Sequence, residues 1–456
     1  MIRGEIHHPF QSRREAIRAA VIIFTVALAA RILFLIARGP SLIGDGPDYL
    51  ILAKNLVTQG VYSLDVLPPF IPSIRRAPLY PFLLAGISLV TGKGGESPVL
   101  LITIIQATLD SLVAVMVCVL ARFSVSTKLA IGTGIFYALN PGNIAMSRSI
   151  LTETVFTTLL VSTVLMIAFG VLRRQMIFTC IAGVFLGLAI LCRPLAFPLV
   201  FVFPSLALLV SGLPRKWIHA AAIIGITCVV AMPWLIRCRL VSGSFVMVQS
   251  ASAINFYAPT LLDVNQSNED LIWPRIFSKS TVDPYGYYLV RATTPAEMIE
   301  ADHIGFRQVR KNILANPRGY ISSRITAYPH LFLSSFDSFT GINQSFSVLV
   351  AQKDWFRLLI KFSLFSVFSA LSFTLALVGL LKARSNIVIA LCSAMWVYTL
   401  IIHLPMWIEY RFWLPVVPFL AVSASAGASL ILQRARAMQY TEKFRAALQD
   451  SSQTNA

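Results

Sequence analysis

Charge is scarce in this chain. Only 13% of its 456 residues are Asp, Glu, Lys or Arg, against about 25% in a soluble domain. That composition excludes a soluble enzyme and a disordered regulator. Cysteine is also sparse: there are six, none in a CxxC pair and most inside apolar runs. They read as small packing residues, which excludes a disulfide scaffold and a zinc module. No P-loop and no glycine-rich dinucleotide turn occurs, so ATP-driven transport and dinucleotide chemistry lack support. No signal-peptide pattern is evident, because the first apolar run is too long for an h-region and no A-x-A-like site follows it.

What is abundant is apolar sequence, at 56% of residues with a mean hydropathy of +0.73. A membrane helix needs about 20 apolar residues. Ten runs qualify, near 17–38, 98–121, 129–147, 152–172, 175–192, 195–212, 217–236, 358–381, 386–404 and 411–432. The expected fold is therefore an all-α polytopic membrane protein of about ten transmembrane helices, within a range of nine to twelve. The net charge of +18 then reflects cytoplasmic Lys and Arg rather than a nucleic-acid surface. Arg13, Arg14 and Arg18 at one end, and Arg434, Arg436, Lys443 and Arg445 at the other, put both termini inside. The shorter run from Pro78 to Val90 breaks the alternation and reads as an interfacial or re-entrant helix on the outer face.

This topology divides the chain into an N-terminal transmembrane bundle (1–237) with a first outer loop (39–97), an extracytoplasmic segment (238–357), C-terminal helices (358–432) and a cytoplasmic tail (433–456). Juxtamembrane helices on the outer face and a small α or α+β outer segment are expected. Basic and acidic residues nearly balance in 238–357. Within it, Ala301 to Asn316 carries helical periodicity and reads as an amphipathic helix. The polar tail after Gln433 reads as disordered. Gly183-x-x-x-Gly187 reads as a helix-packing motif.

Ionisable groups beside apolar spans are expensive, so they are candidates for chemistry. Gly44-Asp45-Gly46-Pro47-Asp48-Tyr49 follows the first span. Its two carboxylates suit a general base and partner, or a metal site; they equally suit a helix cap. Glu153 leads into the apolar run from Val155 to Phe169, either as a second acid facing Asp45 or as a residue favouring the positive helix end. Arginines recur at predicted outer ends, at Arg75, Arg76, Arg193, Arg237 and Arg411. The positive-inside rule does not predict them there. Guanidinium groups match phosphate bidentately, although any one of them could be a lipid-headgroup anchor. His303, His330 and His403 show no metal-ligand spacing, and scattered histidines of this kind are usually structural.

In order, Asp45-x-x-x-Tyr49-x-x-x-Ala53, Gly60-Val-Tyr62, Arg76-Ala-Pro78-Leu-Tyr80-Pro81, Asn140-Pro141, Leu151-Thr-Glu153, Arg193-Pro194, Pro233-Trp234-Leu-Ile-Arg237 and Tyr410-Arg411 resemble the polytopic glycosyltransferases of the C superfamily. The resemblance is to the bacterial branch related to protein O-mannosyltransferases and aminoarabinose (lipid A) transferases. It implies a helical bundle in a bacterial plasma (inner) membrane with its active site on the extracytoplasmic face. It also implies an inverting glycosyltransferase that moves a sugar from a polyprenyl-phosphate donor to an envelope lipid, glycan or protein, in contact with membrane lipid and with no nucleic acid.

By the same resemblance Asp45 is the catalytic carboxylate. Asp48 stands as an alternative second acid, because Gly46 occupies the place of a neighbouring acid in some relatives. Glu153 is the later acid, and Tyr49, Arg75, Arg76, Tyr80, Arg193, Arg237, Tyr410 and Arg411 bind substrate. No cofactor is certain; a divalent metal, if used, would sit on Asp45 and Glu153. The rival readings are a transporter or flippase of a lipid-linked anion, and a non-catalytic envelope assembly protein. Against the flippase, the acids cluster at one face and no inverted repeat is visible.

Overall fold

The structure is a computed structural model. It describes residues 12–92, 98–250, 252–261, 291–333, 336–342, 344, 346–383 and 385–453. Among them the named elements are all helical. The main helices are α1 (Arg13–Arg38), α2 (Gly46–Gln59), α3 (Leu79–Val90), α4 (Val99–Arg122), α5 (Thr127–Ala138), α6 (Pro141–Ser147), α7 (Glu153–Arg173), α8 (Met176–Cys192), α9 (Leu199–Leu208), α10 (Lys216–Ser242) and α11 (Ala253–Tyr257). Beyond these lie α12 (Pro295–Ala315), α13 (Pro317–Ala327), α14 (Trp355–Lys382), α15 (Ile387–Ile402) and α16 (Val417–Gln453). Six described helices are long and apolar enough to cross a membrane, among them α1, α4, α7, α10 and α14; α3, α8 and α15 are shorter apolar helices.

Two expectations are corrected. The run 129–147 is not one helix: Leu139 ends α5 and Asn140 starts α6, its side chain accepting from the Asn143 amide. Pro141 supplies no N–H and suits a first helical turn, so the chain restarts there. The tail after Gln433 is not disordered either. It continues α16 to Gln453, because Arg, Ala, Gln, Lys, Glu and Leu favour helix and neither Gly nor Pro interrupts it.

The other readings meet the structure more simply. The amphipathic stretch at 301–316 lies in α12, which opens with a capping box between Thr294 and Glu297. A Cβ on Gly183 or Gly187 would stand 2.9 Å from Cβ of Ile226 and 2.6 Å from Cβ of Val230. Those glycines therefore let α8 and α10 approach closely, as the spacing predicts.

The bundle holds a buried polar centre as well. Arg31 of α1 is 1% exposed. Its Nε donates to Asp110 Oδ2 of α4 at 2.7 Å, and its Nη1 donates to the carbonyls of Ala27 and Ala138. Tyr137 donates to the other Asp110 oxygen at 2.6 Å, and Asn143 donates to Tyr137 Oη at 3.2 Å. Two opposite charges in an apolar bundle persist only when paired and hydrogen-bonded. This network ties α1, α4 and α5 to the break before α6.

Candidate active site

The site forms where the chain leaves α1 and enters α7. Ser41 and Ser149 form a parallel bridge: the Ser41 amide donates to the Arg148 carbonyl at 2.9 Å and the Ile150 amide to the Ser41 carbonyl at 3.0 Å. The bridge lays 39–45 beside 148–150 and so brings Asp45 near Glu153, the first residue of α7. Gly44 turns the chain with φ +54°, a conformation that favours glycine. A Cβ there would also stand 3.2 Å from Arg411 Nη1. Asp45 occupies the N-cap position of α2, but its side chain makes no capping bond. Its carboxylate faces arginines instead.

Arg76 Nη2 lies 2.8 Å from Asp45 Oδ1 and 2.7 Å from Asp48 Oδ2, and Arg76 Nε donates to Asp48 Oδ2 at 3.0 Å. Arg193 Nη1 lies 2.8 Å from Oε1 of Glu153, whose side chain is 2% exposed. Arg411 stands between the two acids, 3.5 Å from Asp45 Oδ2 and 3.8 Å from Glu153 Oε1, and pairs tightly with Glu409. Asp45, Asp48, Glu153 and Arg76, Arg193, Arg411 thus come together from sequence positions far apart.

The loop that carries Arg411, between α15 and α16, is fastened by residues of the 238–357 segment. The Trp407 amide donates to the Asn255 carbonyl at 2.6 Å, Arg324 donates to the Met406 carbonyl at 3.0 Å, and Tyr320 donates to the Pro405 carbonyl at 3.2 Å. Trp407 Nε1 donates to Glu409 Oε1 at 3.2 Å, fixing the acid that holds Arg411.

Burial alone would push the Asp45 carboxyl up. The Arg76, Arg411 and Arg193 guanidiniums outweigh it, so its pKa lies below the ordinary 3.8. Asp45 is therefore ionised at neutral pH. Burial, with Asp45 next to it, pushes the Tyr49 phenol above its ordinary value. Tyr49 packs edge-on against Tyr80 at 5.1 Å, with the Arg76 guanidinium 5.9 Å from its ring centre.

The remaining predicted residues lie elsewhere or serve other bonds. Tyr80 is fully buried and its hydroxyl donates to Gln106 at 2.6 Å. Gln106 in turn donates to the carbonyls of Ser147 and Ser149, supporting the chain just before Glu153. Arg75 donates to the Ala292 carbonyl and Arg237 to the Ser73 carbonyl at 2.6 Å. Arg237 lines a separate apolar groove of about 640 Å³ with Tyr62, Phe82 and Trp234. Tyr62 links that groove to the cluster by donating to the Arg76 carbonyl at 3.0 Å. The side chain of Tyr410 lies outside the described ones. Sequence reasoning missed Asp110, Gln106 and Glu409. An acid in the middle of the 98–121 run was the available signal for Asp110.

Asp45 and Glu153 do not fit a divalent metal here. Arg411 stands between them, Arg76 pairs with Asp45 Oδ1 and Arg193 with Glu153 Oε1, and no three metal-ligating side chains gather among the described residues. A cation there would face three guanidiniums with too few donors.

Residues 75–236 match the family model described as dolichyl-phosphate-mannose-protein mannosyltransferase. No curated protein matches the chain. Among solved structures, the Archaeoglobus fulgidus oligosaccharyltransferase tethered to an NVT-sequon acceptor peptide superposes with a TM-score of 0.55 at 14% identity, covering 93% of this chain and 50% of that one. The archaeal oligosaccharyltransferase AglB from Archaeoglobus fulgidus with an inhibitory peptide and a dolichol-phosphate gives 0.52 at 15% identity, covering 94% and 51%. ArnT from Cupriavidus metallidurans bound to undecaprenyl phosphate gives 0.40 at 14%, covering 90% and 77%. This chain spans about half the length of the oligosaccharyltransferases it matches. The fold is that of the Archaeoglobus fulgidus oligosaccharyltransferases, and the chain is an integral membrane protein.

Proposed function

We infer that this integral membrane protein, whose residues 75–236 match a protein-mannosyltransferase family model and whose fold is that of archaeal oligosaccharyltransferases, is a glycosyltransferase of the C superfamily that transfers a sugar from a polyprenyl-phosphate donor to a hydroxyl or amine acceptor. The observation that carries this reading is the cluster itself: an ionised Asp45 and a buried Glu153 framed by Arg76, Arg193 and Arg411. The family description names a dolichyl-phosphate sugar, and three guanidiniums suit a phosphate leaving group.

Asp45 accepts the proton of the acceptor group while that group's oxygen or nitrogen bonds to the anomeric carbon. The bond from the anomeric carbon to the phosphate oxygen breaks, and the phosphate leaves with the electron pair. One displacement inverts the anomeric configuration. A phosphate needs no proton to leave, unlike the leaving alcohol of glycoside hydrolysis. Asp45 is a weak base, so it takes the proton late, once the forming glycosidic bond has made the nucleophile acidic. Arg193 and Arg411 stabilise the charge that grows on the phosphate. Arg193 Nη1 is at ion-pair distance from Glu153 yet makes no hydrogen bond of good geometry, which leaves it able to turn toward an anion.

The active site faces the extracytoplasmic side of a bacterial plasma membrane, with both termini inside. The segment 238–357 selects the acceptor, and the isoprenoid follows the apolar groove beside Trp234.

The test is transfer by purified protein from a panel of polyprenyl-phosphate sugars to an envelope extract, read by mass spectrometry, with the anomeric configuration assigned by NMR. Transfer by wild type and none by Asp45→Asn is expected. Lipid translocation in vesicles without any new glycoside would replace this reading with the flippase.

A further inference from the structure

His403 lies outside the ion-pair cluster, one ring behind it. Its imidazole is 1% exposed. Nδ1 lies 2.9 Å from the Thr399 carbonyl, and a carbonyl only accepts, so Nδ1 carries the proton. The ring stacks on Phe412 with centroids 5.3 Å apart and planes inclined by 26°. Phe412 meets both arginines of the cluster: the Arg193 guanidinium carbon is 5.3 Å from its ring centre and that of Arg411 is 5.4 Å. Arg193 also lies 5.7 Å from the Phe156 ring centre.

We propose that His403 and Phe412 form a stacked platform that fixes Arg193 and Arg411 where the leaving phosphate is received, with His403 as a positioning residue. The proposal rests on reading the Asp45–Glu153 cluster as the transfer site. Two guanidiniums drawn to one place repel each other. Glu153, Glu409 and Asp45 hold them by their N–H groups. An aromatic face attracts both without using any N–H donor, so those donors stay available for carboxylate and phosphate. Phe412 can do this only if its ring is held still. The His403 stack, anchored through Thr399, holds it. A neutral imidazole suits this position, because a third cation behind the ring would oppose the other two.

The experiment compares wild type with His403→Phe, His403→Leu and Phe412→Leu. Transfer from the polyprenyl-phosphate sugar that wild type uses in the panel, inhibition by polyprenyl phosphate and melting temperature in detergent are measured for each. His403→Leu is expected to lower kcat about tenfold and to weaken polyprenyl-phosphate inhibition by a similar factor, the scale of one desolvated cation–π contact. Donor KM should change less than twofold, because the platform serves charge that develops as the phosphate leaves. Phe412→Leu should lose at least as much. His403→Phe keeps the stack and should restore kcat to within about twofold of wild type.

Wild-type kcat in His403→Leu would overturn the platform while leaving the transfer site intact. So would a loss in His403→Phe as deep as in His403→Leu, or a fall in melting temperature alone. Wild-type protein that neither transfers sugar nor binds polyprenyl phosphate would instead remove the transfer-site reading, and the platform's role with it.

Discussion

Arg193 Nη1 stands 2.8 Å from Glu153 Oε1 where the end of α8 meets the start of α7. Glu153 is 2% exposed, and once Arg193 is gone the one cation among the described residues that faces it is Arg411, at 3.8 Å. Breaking one side of a buried pair leaves an uncompensated charge and costs about 3–5 kcal/mol. The low end of that range applies here, since the Arg193 side chain is 18% exposed. Arg193→Gln should therefore lower the melting temperature more than Glu153→Gln does. Pairing the two changes should recover much of the stability but none of the transfer. A double-mutant cycle on melting temperature, run beside a transfer assay, checks both statements.

On the proposed mechanism Asp45 should set the pH dependence. Its pKa is held below 3.8, with burial opposing the shift and the Arg76, Arg411 and Arg193 charges producing it. A depressed carboxylate pKa stabilises the fold above the unfolded value of about 3.9 and loses that contribution as pH falls through the folded value. Transfer by wild type should accordingly stay flat from neutral pH down to about pH 5, with its acid limb below the ordinary carboxylate range. Arg411→Met removes a lowering charge and keeps the burial, so the acid limb should move to higher pH. A pH–rate profile of both proteins reads the shift directly. An unmoved limb would mean that another group carries the titration.

Much of this site is legible along the chain because each member breaks a local rule. Asp45, Glu153, Arg193 and Arg411 are charges beside apolar runs, where solvation is lost. Their partners are not legible, because pairing depends on the Ser41–Ser149 bridge and on the loop between α15 and α16. Neither has a periodic signal. Arg75 and Arg237 look like Arg76 and Arg193 in sequence, yet each donates to a backbone carbonyl away from the cluster. Helix extents were misread where one residue decides them, at Asn140-Pro141 and past Gln433. Hydropathy registers neither a proline restart nor a polar helix.

Arg31 and Asp110 pair across α1 and α4 with side chains 0% and 2% exposed. Neither bonds to the Asp45–Glu153 cluster, so the pair should govern stability rather than rate. Arg31→Met or Asp110→Asn alone should each cost about 3–5 kcal/mol, because the other group is left in an apolar surround. The double change Arg31→Met with Asp110→Leu should recover most of that loss, since a well-packed apolar pair often equals a buried ion pair. Thermal melts of the three variants in one detergent decide the matter. A double variant as unstable as the singles would place the stability in the Tyr137 and Asn143 hydrogen bonds instead.

Two glycines on neighbouring helices should respond oppositely to the same substitution. Gly187 of α8 faces α10 so closely that an added methyl would sit 2.6 Å from Val230 Cβ and 3.2 Å from the Thr227 carbonyl. Neither neighbour is the free end of a flexible chain, so the helices must separate, at about 1–3 kcal/mol. Gly225 of α10 has nothing within 4 Å of the same position. Alanine there adds helix propensity worth up to about 1 kcal/mol and meets no obstacle. Gly187→Ala should thus lower the melting temperature and Gly225→Ala leave it unchanged or raise it. Because α10 also carries Trp234 and Arg237, a shift of α10 should disturb the apolar groove. Gly187→Ala should then raise the KM for long-chain polyprenyl donors more than for short-chain ones. Equal effects on both donor lengths would separate this helix contact from the groove.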